Sequence, residues 1–494
     1  MNDKQFIIPN GIMPNSVDPL HIDQFNNYFP GQMLYTTPLT ITAQGDLSSE
    51  VLESFTYDPI KFEIMMKAKS SINYSDGSAI TPEDIVVAIT RMLHSRPNFP
   101  VIRFIKGKDD WLKLKHPLLS FPSGITINNS TISIKLEKNI INPLFRFTMN
   151  IMSIIPKRCI DLKTSTIKCD EIPSSGFYKE DQKGDNFISF KIRPELALKK
   201  TIPQKIKFYF PKVESTYSSI DTITNDDIVF AYDLDFSKEQ YEKITSSYTT
   251  NRLAPTWFTG VVLNTEVKPF DNKQVRQYFI NQLHEELAKT DMSPRQYSKG
   301  IFSKLIPGYI ENSQFSPYNV ELKDVKKELE KYKDTNFNWV IRKKVAPTFI
   351  SNVLEKVAKK LNININIKAP EIAPGSHTGR KSYKLDNTIL HTTHSGFWDL
   401  DPIGDIQMLF TPNMHDDYKD IWSNKSFTAI IKDLGENSDK NLVNAKMKEI
   451  NQALYDMAIM PILSLQSYTY ISKKNKKNVS GNMSLTVPYP WEVF

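Results

Sequence analysis

The sequence predicts a mixed α/β protein of at least two domains. Three observations carry that reading. The chain has 494 residues, and single hydrophobic cores stop growing at roughly 250–300 residues. Residues 61–93 read as a strand, a turn and a capped helix in succession. Residues 339–367 read as strand, helix, strand at the spacing of a βαβ unit, which calls for a partly parallel sheet.

In the first of these units, Phe62, Ile64, Met66 and Ala68 alternate with Lys61, Glu63, Lys67 and Lys69, the pattern of a half-buried strand. Asp76-Gly77 supplies a turn. Thr81 is placed to cap a helix, with Pro82 at its first position and Glu83 and Asp84 in its first turn. Ile85, Ala88, Ile89, Met92 and Leu93 follow at helical spacing. Further on, Phe270-Asp271-Asn272 reads as a turn into a helix carrying Val275, Tyr278, Phe279 and Gln282. Trp339-Val340-Ile341 reads as a short strand. Pro347 opens a helix through Ile350, Val353, Leu354, Val357, Ala358 and Leu361, and Ile363, Ile365 and Ile367 alternate as a strand after it. Residues 382–391 read as strand and loop. Leu442 to Ala458 reads as an amphipathic helix through Ala445, Met447, Ile450, Leu454 and Met457. Pro461 ends it, and Ile462, Ser464, Tyr468 and Tyr470 lead into a closing β segment.

Composition narrows the function classes. Lys and Arg number 62 against 55 Asp and Glu, a net charge of +7 that no basic run of five or more concentrates, so nucleic-acid binding is not indicated. The densest basic stretch, Lys473-Lys474-Asn475-Lys476-Lys477, reads as a solvated loop. No run of 18 apolar residues is present to span a membrane. The N-terminus is polar and lacks a signal-peptide core, as in a cytoplasmic protein or in an exported one whose signal has been removed. With 17 Gly and 30 Pro spread along the chain, no repeat or low-complexity linker stands out. Cys159 and Cys169 lie ten apart. That spacing suits a small disulfide loop worth roughly 2–3 kcal/mol if the protein is exported, and two free thiols otherwise. With no neighbouring His they do not make a zinc site.

Several segments resemble one known family in order. The stretch Tyr74-Ser75-Asp76-Gly77-Ser78-Ala79-Ile80-Thr81-Pro82-Glu83-Asp84-Ile85-Val86 is similar to the most recognisable motif of the family 5 solute-binding proteins, the oligopeptide-, dipeptide- and nickel-binding components of ABC importers. Ser16-Val17-Asp18-Pro19 resembles their N-terminal Ser-Leu-Asp-Pro. Pro173-Ser174-Ser175-Gly176-Phe177-Tyr178 resembles a Gly-Thr-Gly-Pro-Tyr turn, with Phe177 where Pro is usual. Val262-Leu263-Asn264-Thr265, Pro269-Phe270-Asp271 and Val275-Arg276-Gln277 resemble a later block, and the helix from Leu442 with Met460-Pro461 a final one.

The resemblance implies a two-lobed periplasmic-binding-protein fold joined by two chain crossings, near Trp257–Val262 and Met460–Leu465. Lobe one would comprise 1–258 and 462–494, with an extra subdomain at about 40–155, and lobe two 259–461. It also implies export, a periplasmic or cell-surface-anchored location, and removal of a signal sequence. The function implied is capture of short peptides or peptide-like solutes between the lobes, with delivery to ABC permease subunits in the membrane. A monomer with no cofactor is expected.

Ser395-Gly396-Phe397-Trp398-Asp399-Leu400-Asp401-Pro402 resembles the family segment whose Asp pairs with a peptide's α-amino group. A buried ammonium needs a carboxylate, so the resemblance points to Asp399, or to Asp401 in a shifted register. Either carboxylate also suits a cap or turn before Pro402. Trp398 and Phe397, beside Gly396, could wall the pocket or pack in a core. Phe99 and Phe104 follow the capped helix where peptide binders place an aromatic against the ligand backbone, and Val17 has a similar place in the N-terminal motif. Arg342, Lys343 and Arg380 are candidates for a ligand carboxylate, although each also reads as exposed surface. His391, His394 and His415 raise a metal-chelate ligand, but the first two, at i and i+3, would face opposite sides of a strand.

Short enzyme motifs are missing: the chain has no HExxH, GxSxG, P-loop or GxGxxG pattern. Binding rather than catalysis is therefore expected. The alternatives are a nickel chelate, an oligosaccharide or a peptide-like antibiotic on the same fold, or a peptide sensor that feeds no transporter.

Overall fold

The structure is a computed structural model. It describes residues 4–9, 13–14, 16–21, 25–42, 46–99, 102–196, 203–211, 220, 224, 227–232, 236–253, 255–340, 348–368, 387–396, 402–410, 421, 423–436 and 439–473. By Cα proximity the chain separates into two compact units, Met1–Phe230 with Gly435–Asp439 and Tyr470–Phe494, and Ala231–Leu434 with Lys440–Thr469.

Helices and strands alternate along both units, as expected. A seven-stranded sheet runs in the order Tyr248–Arg252, Tyr468–Lys473, Asp227–Tyr232, Lys4–Ile7, Lys205–Tyr209, Phe187–Ile192, Tyr178–Lys183. Lys4–Ile7 lies parallel to both neighbours, pairing Phe6 with Phe208 and Phe6 with Ile228. Its apolar face builds an aromatic knot. Phe6 meets Phe29, Phe208, Phe230 and Tyr470 with ring centroids 5.1–5.9 Å apart, the range in which tilted and edge contacts are favourable.

A separate antiparallel sheet, Leu52–Asp58, Glu63–Ala68, Thr131–Lys135, Ile125–Asn128, lies inside the stretch expected as an extra subdomain. Ile64, Met66, Ile132 and Ile134 fill its buried face. The strand starts at Glu63 rather than Lys61, because Phe62 takes a left-handed conformation (φ 54°) in the turn before it. The capped helix is Pro82–Ser95. Its N-terminus is closed by a capping box: the Thr81 hydroxyl accepts from the Asp84 amide at 3.2 Å, and the Asp84 carboxylate accepts from the Thr81 amide at 2.8 Å. That carboxylate also accepts from the Lys157 amide at 2.7 Å, so one acidic side chain joins the helix to a later loop.

The six-stranded sheet runs Gln296–Tyr297, Ile462–Gln466, Trp257–Leu263, Thr388–Gly396, Asn336–Val340, Asn364–Lys368. Asn336–Val340, the helix Thr348–Leu361 and Asn364–Lys368 form the expected βαβ unit, with parallel pairing from Asn336↔Asn364 to Val340↔Lys368. The core beside it contains Phe270, then Val275, Phe279 and Leu283 of the helix Lys273–Lys289, with Phe337, Trp339, Val353 and Val357. Tyr278 packs partly against it. The late helix is Lys440–Asp456; Val443, Met447, Ile450 and Leu454 are buried, whereas Ala445 is exposed and Met457 half-buried. The buried seam is thus set by the larger side chains, and Ala445, with only a methyl group to bury, falls outside it.

Sheet membership changes between Arg252 and Trp257 and between Gln466 and Tyr468. The lobe boundary expected at 258/259 cuts through the strand Trp257–Leu263, and that at 461/462 separates Ile462–Gln466 from the strand it pairs with. Hydrogen-bonded ladders keep each of these strands with one sheet.

Candidate functional site

The strand Thr388–Gly396 leads to the segment singled out in the sequence. It lies between Trp257–Leu263 and Asn336–Val340, and its last residue, Gly396, pairs with Trp257. On its other side Trp257 pairs with Gln466. The strand that precedes the candidate segment therefore ends level with Trp257 and Gln466. Phe397, Trp398, Asp399 and Asp401 lie outside the described residues, as do Arg342, Lys343, Arg380 and His415. Pro402–Leu409 is a helix held by buried Ile403, Ile406 and Leu409.

Among mostly apolar neighbours, the strands Trp257–Leu263 and Ile462–Gln466 bury a polar pair. Thr259 donates its hydroxyl proton to the Gln466 side-chain oxygen at 3.0 Å, and both residues are fully buried. Trp257 sets its ring edge-on to Tyr468 at 5.6 Å. Leu253 donates its amide to the Tyr468 carbonyl at 2.9 Å. A bulge between Thr259 and Gly260 breaks the register to Ile462–Gln466; such irregularities bend a strand and turn its side chains. His391 and His394 stand opposite Val262 and Thr259 in the ladder, three residues apart on one strand. Among the described residues, no three His, Cys, Asp or Glu side chains cluster as a metal site.

The first-unit candidates differ in setting. Val17 is exposed. Phe99 is buried in the core at 3% exposure. Phe104 is half-buried, and two cations lie over its ring: the Arg103 guanidinium at 4.6 Å and the Lys138 ammonium at 4.4 Å from the centroid. Gly176 of the expected turn is packed so tightly that a β-carbon would sit 2.7 Å from the Met33 carbonyl oxygen and 2.9 Å from the Tyr35 amide. Arg193 grips the same turn, donating to the carbonyls of Gly176 at 3.0 Å and Asn73 at 2.6 Å.

Two charged features escaped the sequence reading. Arg91 lies on the apolar face of the Pro82–Ser95 helix, 3% exposed, and forks onto Asp18 with both bonds at 2.7 Å. Its signal was a cation at helical spacing from the apolar Val87 and Ala88. Asp18 also raises the pKa of the buried Tyr35 hydroxyl, behind the larger effect of burial. His284, on the helix Lys273–Lys289, is buried against the rings of Tyr297 and Tyr455, at 5.8 and 6.2 Å. Neither ring nitrogen has a hydrogen-bond partner among the described residues. Burial, with a smaller contribution from Lys299, pushes its pKa down to about 3. Its only sequence signal was its helical register with Ile280 and Leu287.

Cys159 and Cys169 form a disulfide. No helix among the described residues is long and apolar enough to cross a membrane.

Comparison with known proteins agrees with this architecture. The structure matches NikA from Brucella suis in complex with Fe(III)-EDTA, at a TM-score of 0.77 and 14% identity over 99% of each chain. It matches OppA from Haemophilus influenzae complexed with the peptide RPPGFSPFR at 0.76 and 14%, over 100% of this chain and 98% of that one. It matches NikZ from Campylobacter jejuni in complex with Ni(L-His) at 0.75 and 14%, over 99% of each. The fold is that of the two-lobed periplasmic binding proteins. A search of curated proteins returns no match to the sequence. The family described as bacterial extracellular solute-binding proteins, family 5 Middle, matches residues 49–416. That span covers most of the chain, which belongs to the family 5 bacterial extracellular solute-binding proteins.

Proposed function

We propose that the chain captures a short peptide or peptide-like solute outside the cytoplasm and delivers it to the permease of an ABC importer. The observation that carries this reading is the family match over residues 49–416, supported by full-length likeness to a structure that holds a peptide. Contacts from both lobes would favour a closed, ligand-bound form. Asp399 would take the ligand's ammonium, with Asp401 as the alternative, because an ammonium removed from water needs a carboxylate partner. Trp398 and Phe397 would wall the site next to Gly396, and Val17 and Phe104 would contribute from the first unit. The protein itself would do no chemistry; ATP hydrolysis would belong to partner subunits. It would act as a monomer, periplasmic or anchored to the cell surface.

A metal chelate is the second reading, favoured by likeness to NikA and NikZ, both of which hold chelated metal. Calorimetric titration of ligand-stripped protein separates the two. Trialanine should bind, and both N-acetylation of the peptide and Asp399→Asn should weaken binding about 100-fold, or about 3 kcal/mol. Binding of a nickel–histidine chelate with no heat from trialanine would overturn the peptide reading.

A further inference from the structure

We infer that the Cys159–Cys169 disulfide is a redox-sensitive latch on the N-terminal Ser16–His21 segment, acting through Arg91. The cross-linked loop is a short hairpin. Ile160 bridges Ile167, Asp161 donates its amide to the Thr166 carbonyl at 2.9 Å, and Lys168 donates to the Cys159 carbonyl at 2.9 Å. At its tip Ser165 takes a left-handed conformation (φ 64°), which an L-residue adopts only when its surroundings hold it there. That conformation belongs to a loop whose Ser165 carbonyl accepts twice from Arg91, from Nε at 3.0 Å and Nη2 at 2.6 Å.

Arg91 is buried and gives two further donors to Asp18, Nη1 to Oδ1 and Nη2 to Oδ2, both at 2.7 Å. Asp18 in turn organises its own segment. Its amide donates to the Ser16 hydroxyl at 3.1 Å. Its carboxylate accepts the Leu20 amide at 3.0 Å, and its carbonyl the His21 amide at 2.9 Å. The disulfide, the Ser165 carbonyl, the guanidinium, the Asp18 carboxylate and the amide of Leu20 thus form one continuous chain. A buried guanidinium stripped of part of its acceptors seeks water or new partners, so freeing the loop disturbs its grip on Asp18.

Closing the latch forms one S–S bond. The two thiols give up two electrons and two protons to a disulfide-bearing oxidant, which leaves as a dithiol. A dithiol reductant reverses the exchange and ends as its own disulfide. Cys169 is the more exposed of the two sulfur residues.

Hydrogen-exchange mass spectrometry on the full chain, oxidised or treated with dithiothreitol, in wild type and Arg91→Lys, tests this. Lysine keeps the charge but cannot fork onto Asp18 and Ser165 together. Reduction should speed exchange across residues 16–21 about tenfold in wild type. In Arg91→Lys that segment should already exchange fast, and reduction should add little. The latch is overturned if reduction leaves residues 16–21 unchanged, if it accelerates them equally in Arg91→Lys, or if it accelerates the Lys273–Lys289 helix as well, which would make the disulfide a global staple. Should Arg91→Lys fail to fold, Asp18→Asn serves in its place with the same three outcomes.

Discussion

Replacing His284 with phenylalanine should remove a defined part of the protein's sensitivity to acid. The imidazole is buried against the rings of Tyr297 and Tyr455, with neither nitrogen partnered among the described residues, and its pKa is lowered to about 3. In the unfolded chain the same group titrates near 6.5. Between those values the unfolded state holds a proton that the folded state refuses, so stability falls as pH falls. At about pH 5 the loss from this one group is about 2 kcal/mol, and it approaches roughly 4–5 kcal/mol near pH 3. The charged neighbours do not rescue it. Lys299 is itself lowered by burial, and on the same helix the exposed Glu285 and the half-buried Glu286 are both engaged by Lys289 and Lys360. Those carboxylates, with Asp291 held low by Lys238, also lose stability in acid, but they do so equally in both proteins and cancel in the comparison. Phenylalanine keeps an aromatic ring against Tyr455 and does not titrate. Any packing offset is constant with pH. Urea denaturation of wild type and His284→Phe at about pH 7.5 and about pH 5 gives four free energies. The wild type should lose about 2 kcal/mol more than the variant on acidification. Parallel losses, equal to within about 0.5 kcal/mol, would refute the assignment of a buried neutral imidazole.

Two further substitutions probe the segments that carry the family motifs. Gly176→Ala drives a β-carbon to 2.7 Å from the Met33 carbonyl oxygen. Backbone must shift, and thermal or urea unfolding should show a loss of about 1–3 kcal/mol. Thr81→Ala removes the hydroxyl that caps Asp84; a loss of about 1 kcal/mol with unchanged ligand binding is expected.

Most of the secondary structure was legible because its signals are local. The Thr81 cap, the Pro82 start and the apolar spacing through Leu93 all describe one helix, and the isoleucines at 363, 365 and 367 describe one strand. Ala445 shows the limit, since helical spacing marks a face but not how far the neighbouring elements cover it. The pairing of Arg91 with Asp18 was hidden for another reason. The partners are far apart in sequence, and only the tertiary fold brings a carboxylate to a cation on an apolar face. Phe99 carried the right residue type for a ligand wall, yet packing put it in the core; aromatic character does not separate the two. The assignment of the segment around Asp399 rests on resemblance alone, because a carboxylate before a proline is equally a turn residue.

The central claim is that a peptide occupies the site. Native mass spectrometry of the purified protein, followed by gentle denaturation to release what it carries, tests that claim most directly. A ladder of short-peptide masses, lost in Asp399→Asn, is the predicted result. A single metal-containing or other non-peptide mass would leave the fold and family in place and contradict the peptide assignment.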